Sequence, residues 1–318
     1  MPESPVLDLL QSRLADLEAL TTRTNKVSVM VVQQFPIPED RGVLFPPVRE
    51  SIANVMAFAE IGTAFDASWI LDYCAATVDL VAADCDQKLR ESAEIVRVVR
   101  AKISGRRLML YSDNQAWFDS ALDMVQRLEG GVTGRTVVLC GSGNLADLLA
   151  FTLPRLGARL LDPEDLESVG QADVVLGASQ KRASIDEAIV ERLPTHAAIY
   201  DLGIGNLVGT AAECARRREL RLYRLDNRAG ISSAIVRLLE TDHMVDRLMG
   251  HIRVRDVDIV AGGLLAPPGS IIVDDIRNPS FVFGVADGEG RFRRPPLSRE
   301  DEARIDFVRS LTVKVDHG

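Results

Sequence analysis

Thr136-Val137-Val138-Leu139-Cys140-Gly141-Ser142-Gly143-Asn144-Leu145-Ala146 is a β-branched run that breaks at two glycines and continues in a helical pattern. That order, strand then Gly-x-Gly-x-x-Ala then helix, is the form of a dinucleotide-binding turn. Gly141 lets the strand turn tightly, Gly143 has no Cβ to hold a pyrophosphate away from the backbone, and Ala146 is small enough for the helix to pack on the strand. The N–H groups around Ser142, Asn144 and Leu145 then face the phosphates from the positive end of the helix. An acidic residue, Asp162, closes the next apolar run nineteen residues after Gly143, where its carboxylate can accept from both ribose hydroxyls. The cofactor expected on this reading is NAD rather than NADP, because a 2′-phosphate would meet that carboxylate.

Working outward, the pattern from Arg135 to about residue 225 alternates regularly. Strands are predicted at Thr136–Cys140, Arg159–Asp162, Asp173–Leu176, Ala197–Leu202 and Leu220–Leu225, with helices between them, as a doubly wound parallel sheet requires. Three further loops fall at strand ends: Gly177-Ala178-Ser179, Leu202 to Asn206, and Asn227 to Ser233. Ala178, Ser179, Gly203, Gly205 and Gly230 are the expected cofactor-lining residues there. Turn geometry and helix capping account for Gly203, Gly205 and Gly230 almost as well.

Before residue 125 the chain has a βαβα rhythm of its own. It starts with an amphipathic helix over Val6–Leu20, a strand at Val27–Val32, a helix from about Val48 to Glu60, an apolar run Val78–Ala83, a helix from about Gln87 to Lys102 and a strand at Arg107–Tyr111. A helix from about Ala116 to Leu128 leads to the glycine-rich half, and another from Ile231 to Met249 leaves it. Beyond Met249 the strand-like runs Val257–Val260, Gly269–Asp275 and Phe281–Ala286 are separated by Gly and Pro turns, which predicts a small antiparallel appendage. The expected class is thus α/β, with a smaller N-terminal α/β domain (residues 1–125), a Rossmann doubly wound sheet (126–250) and a short β-rich appendage (251–318). The apolar runs of that appendage predict packing on the core or against a second subunit of a homodimer.

Composition narrows the partners. With 37 basic against 46 acidic residues the net charge is −9, so no electrostatic footprint for nucleic acid exists. No run of apolar residues reaches a membrane span, and no basic-then-apolar leader opens the chain. The four cysteines form no C-x-x-C pair and the four histidines are scattered, so no metal site is expected and a reducing, cytoplasmic setting is. A small molecule is the expected partner.

The candidate acids are Asp84, Asp86 and Asp113, each following an apolar strand-like run of the N-terminal half. A carboxylate in that position can hold a cationic amine or take its proton as hydride leaves, and Asp84 and then Asp113 are the expected catalytic residues. Helix capping explains the same residues structurally. Lys181 and Arg182 can neutralise a substrate carboxylate, although a solvated surface suits them better. Phosphoryl transfer is disfavoured because no Gly-Lys-Ser/Thr follows the glycines.

From about residue 27 to 240 the chain resembles the pyrrolysine synthase family. The resemblance rests on the order of Gly42-Val43-Leu44, Glu50-Ser51-Ile52-Ala53-Asn54, Ala64-Phe65-Asp66-Ala67, Ala83-Asp84, Ser112-Asp113-Asn114-Gln115, Val138-Leu139-Cys140-Gly141, Leu202-Gly203-Ile204 and Ala229-Gly230-Ile231-Ser232-Ser233-Ala234. It implies NAD-dependent hydride transfer at an amine or imine carbon of a lysine- or ornithine-like substrate, closing to a cyclic imine. The chain departs from the family in Ala146, where the family has a third glycine, and in roughly seventy residues after Met249. Two other functions fit the same pattern: a shikimate-type hydroxyl dehydrogenase, disfavoured by the lack of a Pro-His-Lys loop before residue 110, and an NAD-binding sensor or scaffold without turnover, which gains ground if Asp84 and Asp113 are both exposed caps pointing away from the cofactor.

Overall fold

A computed structural model describes residues 4–35, 42–103, 105–179, 183–203 and 205–311. The chain divides into two compact units, Met1–Ile235 and Val236–Gly318. The first unit holds two separate sheets.

The first sheet uses α1 (Ser4–Thr24), β1 (Val27–Gln34), β2 (Arg49–Glu50), β3 (Asn54–Ile61), α2 (Ala64–Cys74), β4 (Leu80–Asp84), α3 (Ser92–Lys102) and β5 (Leu108–Tyr111). Its order is β2-β3-β1-β4-β5, parallel except for the short β2. The segment expected as a helix over Val48–Glu60 is β2, a turn and β3. The reason is burial: seven of the eight β3 residues are buried, so both faces are apolar and no period of two marks the strand. On one face Met30, Val32, Ala57, Ala59, Val81 and Ala83 pack in one cluster with Leu10 and Leu17 of α1, Ile70 of α2 and Ile95 of α3. Alternation along the strands sends Gln33, Glu60, Asp84 and Tyr111 to the opposite face at the carboxyl edge.

The helix α4 (Asp113–Glu129) leads to the second sheet, with Ser112 as its N-cap accepting from the Gln115 N–H and Gly130 ending it in the left-handed region at φ 70°. There follow β6 (Thr136–Cys140), α5 (Asn144–Thr152), β7 (Arg159–Leu161), α6 (Leu166–Val169), β8 (Val174–Gly177), α7 (Glu187–Arg192), β9 (Ala198–Leu202), α8 (Gly209–Arg217), β10 (Arg221–Leu225) and α9 (Arg228–His243). All five strands are parallel in the order β10-β9-β8-β6-β7, and apolar clusters cover both faces. The chain therefore leaves β6 toward one edge and returns past it toward the other, which puts the switch in strand order between β6 and β8. The expected doubly wound sheet is present.

Two contacts fasten α4 to this sheet and to α9. Glu129, buried at the end of α4, accepts from the Tyr200 hydroxyl and from both terminal nitrogens of Arg221 at 3.0 and 2.9 Å. Gly230, inside α9, lies so close to α4 that a Cβ there would stand 2.0 Å from the Ala116 carbonyl oxygen.

The second unit contains β11 (Gly250–Val254), β12 (Val257–Ala261), β13 (Ile271–Val273), β14 (Val282–Val285) and α10 (Arg299–Leu311). The sheet is not wholly antiparallel as expected, since β12 and β13 run parallel. Val257, Ile259, Ile271, Val273 and Val285 form its core with Ile305 and Val308 of α10. The sequence shows little sign of α10, because its apolar stripe is narrow among Arg299, Glu300, Asp301, Glu302 and Arg304. Asp301 is nonetheless buried, held by Arg293 with both carboxylate oxygens at 2.9 Å. Among the described residues no helix is long and apolar enough to cross a membrane, and the four cysteines are unpaired.

Candidate active site

The glycine turn of the second sheet has the geometry its sequence predicts. Gly141 and Gly143 sit at φ 127° and 107°, a region closed to most side chains. Gly141 also lets two loops touch, for a Cβ on it would come 2.5 Å from the Ser179 nitrogen. Ser142 and Asn144 are exposed at the start of α5, and Gly143 caps that helix with no side chain to occupy its first N–H groups. Leu145 offers only its backbone, since its side chain packs in the core with Ala146 and Leu149. Asp162 is exposed directly after β7, with one carboxylate oxygen accepting from the Glu164 N–H at 2.9 Å and the other without a partner among the described residues.

The neighbouring loops are tighter than their small residues imply. The Ala178 N–H donates to the Cys140 carbonyl at 2.8 Å, and the Ser179 N–H to Asn206 Oδ1 at 2.9 Å. Neither N–H is left for a phosphate or ribose. Asn206, buried, is held by Asp201, which also accepts from the Gly205 N–H at 3.2 Å and so shapes the Gly203–Asn206 loop. Gly203 at φ 132° and Gly205 at φ 86° give that loop its turn. Gly230 belongs to α9 rather than a turn, and its N–H donates to Ser120 Oγ at 2.7 Å. Helix packing accounts for it. Lys181, Arg182 and Ile204 lie outside the described residues.

At the carboxyl edge of the first sheet the expected acids meet a lysine that sequence reasoning passed over. Lys88, in the loop before α3, places its ammonium 2.7 Å from Asp84 Oδ2 and 2.5 Å from Asp113 Oδ2. Asp84 is wholly shielded, also accepting from the Asp86 N–H at 2.9 Å and from the Gln34 N–H at 3.4 Å. Asp113 keeps a small exposed fraction and accepts from Gln33 Nε2 at 2.9 Å and from Asn227 Nδ2. Asp86 instead serves the start of α4, accepting from the Asn114 N–H at 2.8 Å and from its side-chain amide at 2.9 Å. Neither Asp84 nor Asp113 is an exposed cap, and Asp84 lies behind Lys88 rather than facing outward itself.

The electrostatics follow from this packing. Burial pushes the Asp84 carboxyl up to about 6, against the opposing pull of Lys88. Burial alone would lower the Lys88 ammonium, but the charges of Asp113 and Asp84 outweigh it and hold Lys88 above its ordinary value. Tyr111, beside Asp84 in the sheet register, is raised by burial and then by Asp113 and Asp84, and its buried hydroxyl has no hydrogen-bond partner among the described residues.

The Asn227–Asp113 hydrogen bond joins the two halves of the unit. Asn227 follows β10 and Asp113 follows β5, so the carboxyl ends of both sheets meet at this point. A second link lies further along α9, where Ser232 Oγ accepts from Asn54 Nδ2 at 3.1 Å and donates to Ser51 Oγ at 2.9 Å. Three strand spacings, roughly 14 Å, separate β10, which Asn227 follows, from β6, which the glycine turn follows.

No protein-family model matches the chain, and no curated protein matches it. Solved structures give distant likenesses. The methylenetetrahydrofolate dehydrogenase-cyclohydrolase of Trypanosoma brucei, complexed with NADP and an inhibitor, is 12% identical over 75% of this chain and 97% of its own, with a TM-score of 0.39. Glutamate dehydrogenase of Thermus thermophilus is 12% identical over 69% of this chain and 70% of its own, with a TM-score of 0.41. Shikimate dehydrogenase of Peptoclostridium difficile is 12% identical over 69% of this chain and 90% of its own, at 0.35. Scores this low leave both fold and chemistry to be argued from the residues themselves.

Proposed function

We propose that the protein is an NAD-dependent oxidoreductase that moves hydride to or from a carbon held at the Lys88–Asp113 cluster. The observation that carries this reading is the hydrogen bond between Asn227 and Asp113, which brings the acid–base cluster to the same edge as the glycine turn. The residues present fit the cofactor: Gly141 and Gly143 adopt φ values that suit a phosphate turn, the first N–H groups of α5, uncapped by a side chain, suit pyrophosphate, and the exposed carboxylate of Asp162 suits a ribose. When bound, the cofactor would supply the hydride acceptor for oxidation as NAD and the hydride donor for reduction as NADH. On this reading residues 126–250 hold the cofactor and residues 1–125 supply the groups that touch substrate.

Lys88 suits an oxygen as the substrate's reacting atom. Hydride arriving at a carbonyl carbon leaves negative charge on the oxygen, and an ammonium fixed by two carboxylates can donate a hydrogen bond to it without reorganising. Lys88 then gives its proton to that oxygen. Lys88, whose side chain keeps a solvent-accessible fraction, regains its proton from water, and Asp84, shielded behind it, holds the ammonium in place. Asp113, tied to Lys88, Gln33 and Asn227, orients the group that reacts. A Pro-His-Lys loop is lacking before residue 110, but Lys88 and Asp113 form the lysine–aspartate pair that a hydroxyl dehydrogenase needs.

The amine or imine reading has separate support in the excess of carboxylates. Against Asp84, Asp113 and Glu60, Lys88 is the one cation among the described residues that pairs with any of the three. On that reading Asp113 takes the proton of a substrate ammonium before hydride leaves. Reduced-nicotinamide absorbance against paired panels of lysine- and ornithine-derived alcohols and amines separates the two. Lys88→Met is expected to lower turnover by ~10²–10⁴ with NAD affinity unchanged, and undiminished turnover in that variant overturns the assignment.

A further inference from the structure

Glu60 is a charged group at this edge whose carboxylate meets neither a cation nor a hydrogen-bond donor among the described residues. It stands near the end of β3, in register with Gln33 of β1. The pairing of Val32 with Ala83 continues the row from Gln33 to Asp84, and Asp84 pairs with Tyr111. Alternation therefore sends Glu60, Gln33, Asp84 and Tyr111 to one face, with Asp113 tied to the row through Gln33. The backbone of Glu60 is bonded to Leu44, but its partly exposed carboxylate makes no hydrogen bond or ion pair with the described residues.

Two further observations bear on what this row of side chains lacks. Lys88 is already committed to Asp84 and Asp113, and Glu60 is held above the usual carboxylate range by burial first and by the charge of Asp113 second. The Tyr111 hydroxyl, buried on the same face, has no partner among the described residues. A bound cation satisfies the first deficit. A carboxylate or phosphate in the same place would be repelled by Glu60 and Asp113 together.

We propose that Glu60 is the specificity residue of this site, accepting the cationic nitrogen of an amino-acid-like substrate whose reacting carbon lies beside Lys88 and Asp113. The assignment rests on the hydride-transfer reading above. Glu60 and Asp84 lie two strands apart, roughly 10 Å between their Cα atoms, so with side chains reaching inward the substrate carries its nitrogen a few bonds from the carbon that reacts. It applies to an amino alcohol and to a diamine alike.

The test is calorimetry on the full chain with NAD present, using aminopentanol, cadaverine, pentanol and hydroxypentanoate as probes. Aminopentanol and cadaverine are expected to bind, and Glu60→Gln to weaken both by about tenfold or more, the worth of one charge-assisted hydrogen bond. Glu60→Asp, which keeps the charge, is expected to keep the preference for aminopentanol over pentanol. Unchanged affinity in Glu60→Gln overturns the proposal, as does hydroxypentanoate binding as tightly as aminopentanol, or failure of both ammonium probes to bind. Turnover is read separately. Affinity lost in Glu60→Gln while no probe is oxidised keeps the cation site and rejects hydride transfer. Oxidation of the probes with Glu60→Gln unaffected keeps hydride transfer and rejects the cation site.

Discussion

The Lys88 ammonium lies 2.7 Å from the Asp84 carboxylate, and no part of the Asp84 side chain reaches solvent. Asp84 thus acts on anything outside only through Lys88, and its burial has a thermodynamic signature. A carboxyl held at about 6 in the folded chain binds its proton more tightly than the unfolded value of about 3.9 allows. Its contribution to stability is present in full below that unfolded value and is lost as pH rises through about 6. Urea unfolding between those limits is expected to show stability falling with pH, and Asp84→Asn to flatten the fall. Parallel curves for the two proteins would mean that Asp84 does not titrate there.

Asp162 sets the second expectation. A 2′-phosphate beside its exposed carboxylate would meet like charge, so NAD is expected to bind more tightly than NADP. Replacing Asp162 by Ser is expected to narrow the difference, by about tenfold if one direct repulsion is removed. Calorimetry with both cofactors checks it, and equal affinities in the unaltered protein would release Asp162 from the role.

Gly230 and Gly203 are expected to respond differently to the same change. Gly230→Ala drives a methyl group to 2.0 Å from the Ala116 carbonyl oxygen, forcing α4 and α9 apart. The cost expected is about 3 kcal/mol or more, with the Asn227–Asp113 contact disturbed as well. Gly203→Ala meets nothing nearer than 3.9 Å and carries only the strain of φ 132°, about 1–2 kcal/mol. Denaturant midpoints of the two variants distinguish packing from backbone strain, and equal losses would refute the difference.

The second unit is expected to behave as a folded body in limited proteolysis, since its sheet and α10 share a core of their own. Val308→Asp places a charge in that core, where Val308 is fully buried, and is expected to make residues beyond about 250 protease-sensitive. Rapid trimming of the unaltered chain to that point, leaving a monodisperse remainder, would show the unit to be a loosely held tail.

Residues close together in the chain determined much of this protein. The strand Thr136–Cys140 is read from its β-branched run, and the φ values of Gly141 and Gly143 from the need for a turn between that strand and α5, because strand, turn and helix cap are all decided within about ten residues. Asp84 and Asp113 are legible for the same reason, as each ends an apolar run and starts a polar loop. β3 was not, because a strand buried on both faces loses the alternation that would mark it.

Only the tertiary structure decided which side chains meet. Lys88 lies twenty-five residues from Asp113, and Asn227 lies 114 from it; no local spacing couples them, and they join because β4 and β5 are neighbours in one sheet and the carboxyl end of the other sheet comes to the same point. Glu60 reaches the same row through the parallel register of β3 on β1, a pairing that a one-residue slip would turn to the other face. Gly230 makes the point in reverse: its sequence resembles a turn, but the proximity of Ala116 in a different helix gives it its role. Sequence pattern specifies local backbone geometry, whereas charge pairing and close packing depend on groups that are neighbours only after the chain has folded.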